Sequence, residues 1–225
     1  MQIVKFEQDG VRLFQLHIRE LAEPEIFRGH YDQMSDTRRL KVDRQRTDAG
    51  KRLSLGAGIL LDEGLKEYGL REREVQIATK ENGKPVLKDY PEIYFNLSHS
   101  KEMVLAAFAH SEVGCDIEYG GALKLQIARR FFCPEEYEYL ISQPQERQRE
   151  VFYRLWTLKE SFMKVTGLGM RLMPNQFSFR LGQASGETYF PYMQEVTICQ
   201  DVDDNTYHFS EYLFEGYHMA VCVRR

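Results

Sequence analysis

Helix-like and strand-like segments alternate along both halves of this sequence, and this alternation restricts the fold more than any other feature. Residues 53–69, LSLGAGILLDEGLKEYG, carry apolar side chains at every third or fourth position, which predicts a helix that is basic at its start and buried further on. A long helix is predicted from Arg147 to about Thr166, where glycines end it. Strands are expected around 176–181, 195–200, 207–214 and 217–224. The predicted fold class is therefore α/β or α+β.

The middle of the chain follows the same pattern. KENGKPVL predicts a turn that leads into a strand, and residues 93–109 predict a hairpin whose polar centre runs from 96 to 102. The segment 123–140, LKLQIARRFFCPEEYEYL, predicts two helices separated at Pro134.

Composition excludes several classes of protein. The 225 residues are 43% hydrophobic, which is enough for a substantial core. A net charge of −4 argues against a nucleic-acid binder that relies on neutralising phosphates. The cysteines form no C-x-x-C pair, the N-terminus has no signal-like apolar stretch, and no apolar run is long enough to span a bilayer. These features favour a reduced, cytoplasmic protein with no membrane partner.

The stretch VGCDIEYG, residues 113–120, predicts a strand that carries two acids on one face, because side chains alternate with period two. The carboxylates of Asp116 and Glu118 are then about 6–7 Å apart, and at a partly buried site they repel each other by about 2–3 kcal/mol. This face is therefore either solvated, as on an edge strand, or occupied by something positive.

Two rows of side chains run along the long predicted helix. The apolar row is expected to face a core and contains Leu155, Leu158, Phe162 and Val165. The second row contains Phe152, Trp156, Glu160 and Lys164. Glu160 and Lys164 are either a surface ion pair or, if the helix packs on the acid strand, part of a three-carboxylate site of the kind that suits magnesium.

Other candidates are weaker when taken singly. His99 lies between two serines in FNLSHS, where it is either a turn residue or a phosphate donor. GKP, residues 83–85, is a tight turn that presents Lys84. The stretch 38–52 has seven basic residues and two acids, and it is either a solvated helix face or an anion pocket. No Walker-type phosphate loop occurs in the sequence.

Taken in order, these motifs resemble the 4′-phosphopantetheinyl transferase superfamily, in its long, surfactin-synthetase-activating type. The matching stretches are GKP at 83–85, FNLSHS at 95–100, VGCDIE at 113–118, ARRFF at 128–132 and LWTLKESFMKVTGLG at 155–169.

The resemblance implies an enzyme that transfers the phosphopantetheine arm of coenzyme A to a serine of a carrier protein and releases adenosine 3′,5′-bisphosphate. It implies Mg²⁺ held by Asp116, Glu118 and Glu160. Glu160 is our candidate base, directly or through water, and Lys164 is expected to neutralise phosphate oxygens.

The resemblance also implies the contacts to coenzyme A. Ser98 and His99 would hold its phosphates, and Lys84 would lie beside the adenine. Arg52 best matches the arginine that binds the 3′-phosphate, and the more N-terminal contacts fall on Arg38, Arg39 or Lys41.

The implied fold is a pseudo-dimer of two α/β subdomains, residues 1–112 and 113–225, with the active site in the cleft between them and a monomeric state. The implied partner is an acyl or peptidyl carrier protein, which would dock near 123–132, where Arg129 and Arg130 lie; a plain amphipathic helix explains that segment equally well.

Two alternative functions are a magnesium-dependent phosphohydrolase or nuclease, and a non-catalytic module that binds coenzyme A or carriers.

Overall fold

A computed structural model describes residues 1–81, 83–182 and 196–225. The chain divides into two units: one is formed by Met1–Glu81 and Pro85–Ser111, and the other by Glu112–Arg225 together with the short stretch that ends at Lys84. The mixed α/β class predicted from the sequence is confirmed. No helix in the described part of the chain is long and apolar enough to cross a membrane.

Within each unit, the strands pair in an antiparallel manner. Within the described ranges the strands are β1 (Ile3–Gln8), β2 (Val11–His17), β3 (Ile77–Thr79), β4 (Pro85–Leu87), β5 (Tyr94–Ser100), β6 (Met103–Ala109), β7 (Val113–Tyr119), β8 (Ser178–Leu181), β9 (Val196–Cys199), β10 (Tyr207–Phe214) and β11 (Tyr217–Arg224). The predicted strands in the C-terminal third are thus confirmed where the structure describes them.

The helices also follow the apolar periodicity of the sequence. They are α1 (Pro24–Tyr31), α2 (Asp36–Asp43), α3 (Asp48–Lys66), α4 (Leu125–Phe131), α5 (Pro134–Ser142) and α6 (Gln145–Thr166). The separation at Pro134 is confirmed, since the proline occupies the first position of α5. The end of α6 is confirmed as well, because Gly167 takes a left-handed conformation with φ of 67°.

The first unit packs α3 on a four-stranded sheet with the order β1-β2-β6-β5. Thr47 caps α3 by accepting a hydrogen bond from the backbone N–H of Gly50. Further along α3, a Cβ atom on Gly64 would lie 2.0 Å from the Phe108 ring of β6, so a glycine is required for this close packing. The core of the unit lies between this helix and this sheet.

The hairpin predicted for residues 93–109 is confirmed as β5 and β6, but the position of its turn was predicted wrongly. The polar stretch is part of β5, and the two strands are joined by Lys101 and Glu102 alone. Ladder hydrogen bonding to β6 outweighs the turn propensity of the Asn and Ser residues. His99 therefore lies on a strand and not in a break between strands.

The second unit packs α6 on a three-stranded sheet with the order β10-β11-β7. The predicted apolar row of α6 is buried, with Leu155, Leu158 and Phe162 at 0% exposure. A smaller pair, β8 and β9, belongs to the same unit. Asp116 and Glu118 lie on one face of this sheet, and they would face solvent if no other element covered that face.

Candidate functional site

The site begins where α6 crosses β7, and Gly114 makes that crossing possible. A Cβ atom at Gly114 would lie 2.2 Å from the carbonyl oxygen of Ser161 and 2.4 Å from the backbone nitrogen of Val165. Any side chain there would push α6 away from the strand. Gly114, Asp116 and Glu118 share one face of β7 by alternation, so α6 lies on the face that carries the acids.

Asp116 is 5% exposed and has a positive partner on α6. The ammonium of Lys164 donates to Oδ1 of Asp116 at 2.6 Å and to the carbonyl oxygen of Cys115 at 3.0 Å. Burial lowers the pKa of Lys164, but the charges of Asp116, Cys115 and Glu160 and the hydrogen bond to Asp116 together outweigh it, so the net shift is upward. Of the two alternatives for this strand face, a solvated face does not apply at Asp116, which is buried beside a positive charge.

Glu160 belongs to the same electrostatic cluster. Burial raises the pKa of its carboxyl group, the negative charges of Asp116 and Glu118 raise it further, and Lys164 opposes them. The structure thus brings all three acids and Lys164 within interaction range. Lys164 forms its short contact with Asp116, which differs from the surface pair with Glu160 that the sequence allowed.

The carboxylates have the donor chemistry of a magnesium site but are not gathered around one point. Among the described residues, no group of three His, Cys, Asp or Glu side chains is arranged to hold a metal ion. The raised pKa of Glu160 means that its ionised form is less stable in the folded protein than in water. A bound cation would stabilise that ionised form. Oxygen ligands of this kind suit Mg²⁺, which commonly takes few protein ligands and fills its remaining positions with water and phosphate.

His218 lies directly opposite Glu118 in the pairing of β11 with β7. It was not among the site residues predicted from the sequence. The imidazole is 7% exposed and stacks on the ring of Tyr153 at 5.6 Å between centroids. Burial, with Arg154 and Arg149 nearby, lowers the pKa of His218 to about 4, so the ring is neutral at pH 7. Strand register places His218 beside the acids, and only the pairing of two distant strands could have revealed it.

Lys84 is buried in the second unit. Its ammonium contacts Oε2 of Glu112 at 2.5 Å and donates to the carbonyl oxygens of Val113 and Val165, each at 3.2 Å. These contacts place the GKP lysine at the β7 and α6 crossing. The position beside the adenine of coenzyme A, which the resemblance implied for Lys84, stays a prediction.

The basic stretch divides into residues with different environments. Arg38 is 7% exposed, and its guanidinium lies 3.8 Å from Glu72 and donates to the carbonyl oxygen of Ser54, so it is bound internally. Arg39 is half-buried and forms an ion pair with Asp36 of the same helix, whereas Lys41 is exposed. Arg38 is thus poorly placed to bind a phosphate, while Arg39 and Lys41 are accessible.

Arg52 lines a cavity of about 570 Å³ in the first unit. The cavity combines aromatic and apolar walls with charges of both signs, and its lining includes Phe27, Tyr31, Val42, Arg28, Lys51, Arg52, Asp43 and Asp48. Within the part of the chain that the structure describes, the buried Nε atom of Arg52 has no hydrogen-bond partner. A buried guanidinium nitrogen beside a cavity is a suitable donor for an anion.

Ser98 and His99 are successive residues of β5, so their side chains point to opposite faces of the sheet. Ser98 is buried, whereas His99 is exposed. The two side chains therefore do not share one phosphate-binding surface. If both contact the same ligand, they contact different groups of it.

Helix α4 carries exposed cations close to β7 in sequence. Arg129 and Arg130 are both exposed, and the guanidinium of Arg130 lies 5.1 Å from the centroid of the Phe131 ring. Leu125, at the start of the helix, is 37% exposed. This helix therefore presents positive charge and some apolar area to solvent.

Comparisons with known proteins agree on one family. Residues 112–222 match the sequence profile of the 4′-phosphopantetheinyl transferase superfamily. A 4′-phosphopantetheinyl transferase of Bacillus pumilus is 39% identical over 159 residues, which are 70% of this chain and 64% of that protein. Two relatives from Bacillus subtilis carry the same description. One, from strain 168, is 37% identical and covers 70% of this chain and 67% of its own; the other is 36% identical and covers 76% and 73%.

Proposed function

This chain belongs to the 4′-phosphopantetheinyl transferase superfamily, and on that premise we propose that it transfers the 4′-phosphopantetheine arm of coenzyme A to a serine of an apo carrier protein, acyl or peptidyl, releasing adenosine 3′,5′-bisphosphate. As a member of this family it is a transferase. The observation that carries the proposal is the cluster formed at the crossing of β7 and α6, with Asp116 and Glu118 on the strand and Glu160 and Lys164 on the helix.

We propose that magnesium binds through Asp116, Glu118 and Glu160. When bound, the ion supplies positive charge to the pyrophosphate oxygens, where negative charge develops in phosphoryl transfer. The hard oxygen donors support this assignment, as does the mutual repulsion that contributes to the raised pKa of Glu160. We expect water and substrate phosphate oxygens to complete the coordination.

Glu160 is the proposed base. The serine hydroxyl must lose its proton as its oxygen attacks the β-phosphorus of coenzyme A, and a carboxylate oxygen of Glu160 accepts that proton directly or through one water molecule. Burial and the neighbouring acids raise the pKa of Glu160 in the metal-free protein, and a bound Mg²⁺ would oppose that shift.

Lys164 is proposed to act on the substrate phosphate. Its ammonium, which donates to Asp116 and to the carbonyl oxygen of Cys115, carries the positive charge that would attract a phosphoryl oxygen. Asp116 would then orient Lys164 as well as bind the ion. The positive charge would offset the charge that builds on the bridging oxygen.

The proposed contacts to coenzyme A lie in the first unit. Arg52, with its buried Nε atom beside the cavity, is our choice for the 3′-phosphate, and Arg39 is the more N-terminal candidate. Ser98 and His99 remain proposed phosphate contacts, with separate groups for the two side chains. For Lys84, which the resemblance assigns to the same ligand, the contacts described above favour another role.

The proposed docking surface for the carrier is the exposed basic helix α4, since carrier proteins are typically acidic around their target serine. Arg129 and Arg130 supply the charge and Leu125 supplies apolar area. We further propose that the protein acts as a monomer in the cytoplasm. No disulfide joins its four cysteines, which is compatible with a reducing compartment.

Intact-mass spectrometry of the carrier tests the proposed function. The protein is mixed with coenzyme A, Mg²⁺ and an apo carrier, and the carrier is then weighed. A gain equal to one phosphopantetheine group, absent when the target serine is replaced by alanine, supports the proposal. Free phosphopantetheine with an unmodified carrier would indicate a phosphohydrolase instead, and binding with neither product would indicate a non-catalytic module.

A further inference from the structure

The contacts of Lys84 join the two elements that carry the acid cluster. Its ammonium donates to the carbonyl oxygen of Val113 in β7 and to that of Val165 in α6, and both distances are 3.2 Å. Glu112, immediately before β7, supplies the opposite charge at 2.5 Å. The side chain of Lys84 is 7% exposed, so these contacts are largely shielded from water.

These carbonyl groups flank the closest approach of the helix to the strand. Val113 precedes Gly114, whose missing side chain allows α6 to lie on β7, and Val165 follows Lys164. Lys164, the residue before Val165, donates to the carbonyl oxygen of Cys115, two residues beyond Val113 on the strand. Two lysines thus bridge the crossing: Lys84 holds the backbones together, and Lys164 extends towards the acids.

The chemistry of a helix end explains why a cation is suited to this position. The last four carbonyl groups of a helix have no N–H partner within the helix, and Val165 is one residue from the end of α6. A positive charge there is also favoured by the helix dipole. Gly83 adopts a φ of 90°, which a glycine takes without strain, and Pro85 fixes its own φ on the other side of Lys84, which accounts for the GKP sequence as a tight turn.

We propose that Lys84 is a positioning residue: it fixes the last turn of α6 on β7 and thereby sets the places of Glu160 and Lys164 relative to Asp116. It is not, on this view, a contact to coenzyme A. The effect on catalysis rests on the proposed function above, whereas the effect on the helix does not.

Hydrogen–deuterium exchange of the ligand-free protein tests the structural part. In Lys84→Met, amides in the last turn of α6 and at the start of β7 should exchange faster by about tenfold or more, while α3 should exchange as in the wild type. Lys84→Arg should restore part of the protection, because it keeps the charge. The matched control is Lys88→Met, since Lys88 is an exposed lysine four residues away. Unchanged exchange at the end of α6 would overturn the proposal.

A second variant controls for the unpaired acid. Lys84→Met leaves Glu112 without this partner, so the double variant Lys84→Met with Glu112→Gln removes both charges. We expect fast exchange to persist in it, because the bonds to Val113 and Val165 are still missing. Full recovery of protection would show that the charge imbalance alone caused the effect, which would overturn the assigned role.

Kinetics test the catalytic part. We expect Lys84→Met to lower kcat by about 10- to 100-fold, since small misplacements of reacting groups cost this much. KM for coenzyme A should stay within about twofold, and dephospho-coenzyme A should show the same pattern. A raised KM for coenzyme A with unchanged kcat would make Lys84 a substrate contact and overturn the inference. A wild-type protein without transfer activity would contradict the proposed function, while the exchange result would still decide the role of Lys84.

Discussion

Neutralising Asp116 and neutralising Glu160 should shift the stability of the metal-free protein in opposite directions. Each change nevertheless removes one negative charge from the same cluster at the crossing of β7 and α6. Asp116 is 5% exposed and bound to Lys164, so Asp116→Asn removes an attraction. Glu160 is partly buried, and its raised pKa shows that the folded protein holds its charge at a cost, so Glu160→Gln removes that cost. On the sequence alone, with two like charges on a strand, relief of repulsion was expected for Asp116 as well; its ion pair reverses that expectation.

The magnitudes follow from the distances. At an effective dielectric constant of about 20, opposite charges at the 2.6 Å separation of Lys164 and Asp116 attract by about 6 kcal/mol, whereas like charges about 6–7 Å apart repel by about 2–3 kcal/mol. Desolvation and the 27% exposure of Lys164 reduce the net value of the pair. A charged hydrogen bond of this kind contributes about 1.5–3 kcal/mol, which is our estimate for the loss in Asp116→Asn.

Differential scanning calorimetry in EDTA checks the prediction. For a chain of this size, each kcal/mol shifts Tm by about 2–4 °C, so Asp116→Asn should lower Tm by about 3–12 °C. Glu160→Gln should raise Tm by about 2–4 °C, equivalent to about 1 kcal/mol. A rise in Tm for Asp116→Asn would refute the reasoning, because it would mean that the Lys164 contact contributes less than the repulsion it opposes.

The effect of Glu160→Gln on stability should also depend on pH, in a direction that the raised pKa of Glu160 determines. Because the folded-state pKa of Glu160 is raised above its ordinary value of 4.5, the folded protein binds that proton more tightly than the unfolded chain. Stability is therefore lost as pH rises through the folded pKa of Glu160. The advantage of Glu160→Gln should be absent near pH 4.5 and below, and should reach its full size above the folded pKa. An advantage that is constant across this range would contradict the assignment.

Three further predictions concern catalysis and binding. Glu160→Gln should lower kcat by about 10²- to 10⁴-fold even at saturating Mg²⁺, because the amide cannot accept the serine proton. Steady-state transfer rates measured across Mg²⁺ concentrations check this. Rescue of the rate by excess metal would limit Glu160 to a ligand role. Arg52→Ala should raise KM for coenzyme A at least about tenfold and leave that for dephospho-coenzyme A nearly unchanged, whereas an equal loss on both substrates would count against a 3′-phosphate contact. Charge reversal at Arg129 and Arg130 should raise KM for the carrier and weaken its salt dependence while KM for coenzyme A stays constant; unchanged carrier kinetics would return α4 to a plain amphipathic helix.

Local patterns in the sequence determined the elements of this fold and the faces they present. Alternation in VGCDIEYG was sufficient to place Asp116 and Glu118 on one side of a strand, because the period of two is a property of the backbone. The spacing of Leu155, Leu158 and Phe162 was sufficient to identify the buried side of α6. The turn of the hairpin was misplaced, since Ser and Asn residues in β5 favour turns locally but pair with β6 in the fold.

Only the tertiary structure decided which charges meet. Lys164 could reach Glu160 one turn away or an acid on another element, and the close approach of α6 to β7 at Gly114 brings it to Asp116. The same crossing encloses Lys84, while packing against α3 encloses Arg38 beside Glu72. Lysine and arginine side chains are long and flexible, so their partners depend on distances between elements that are remote in sequence. Those distances are set by packing, and local sequence periodicity contains no information about them.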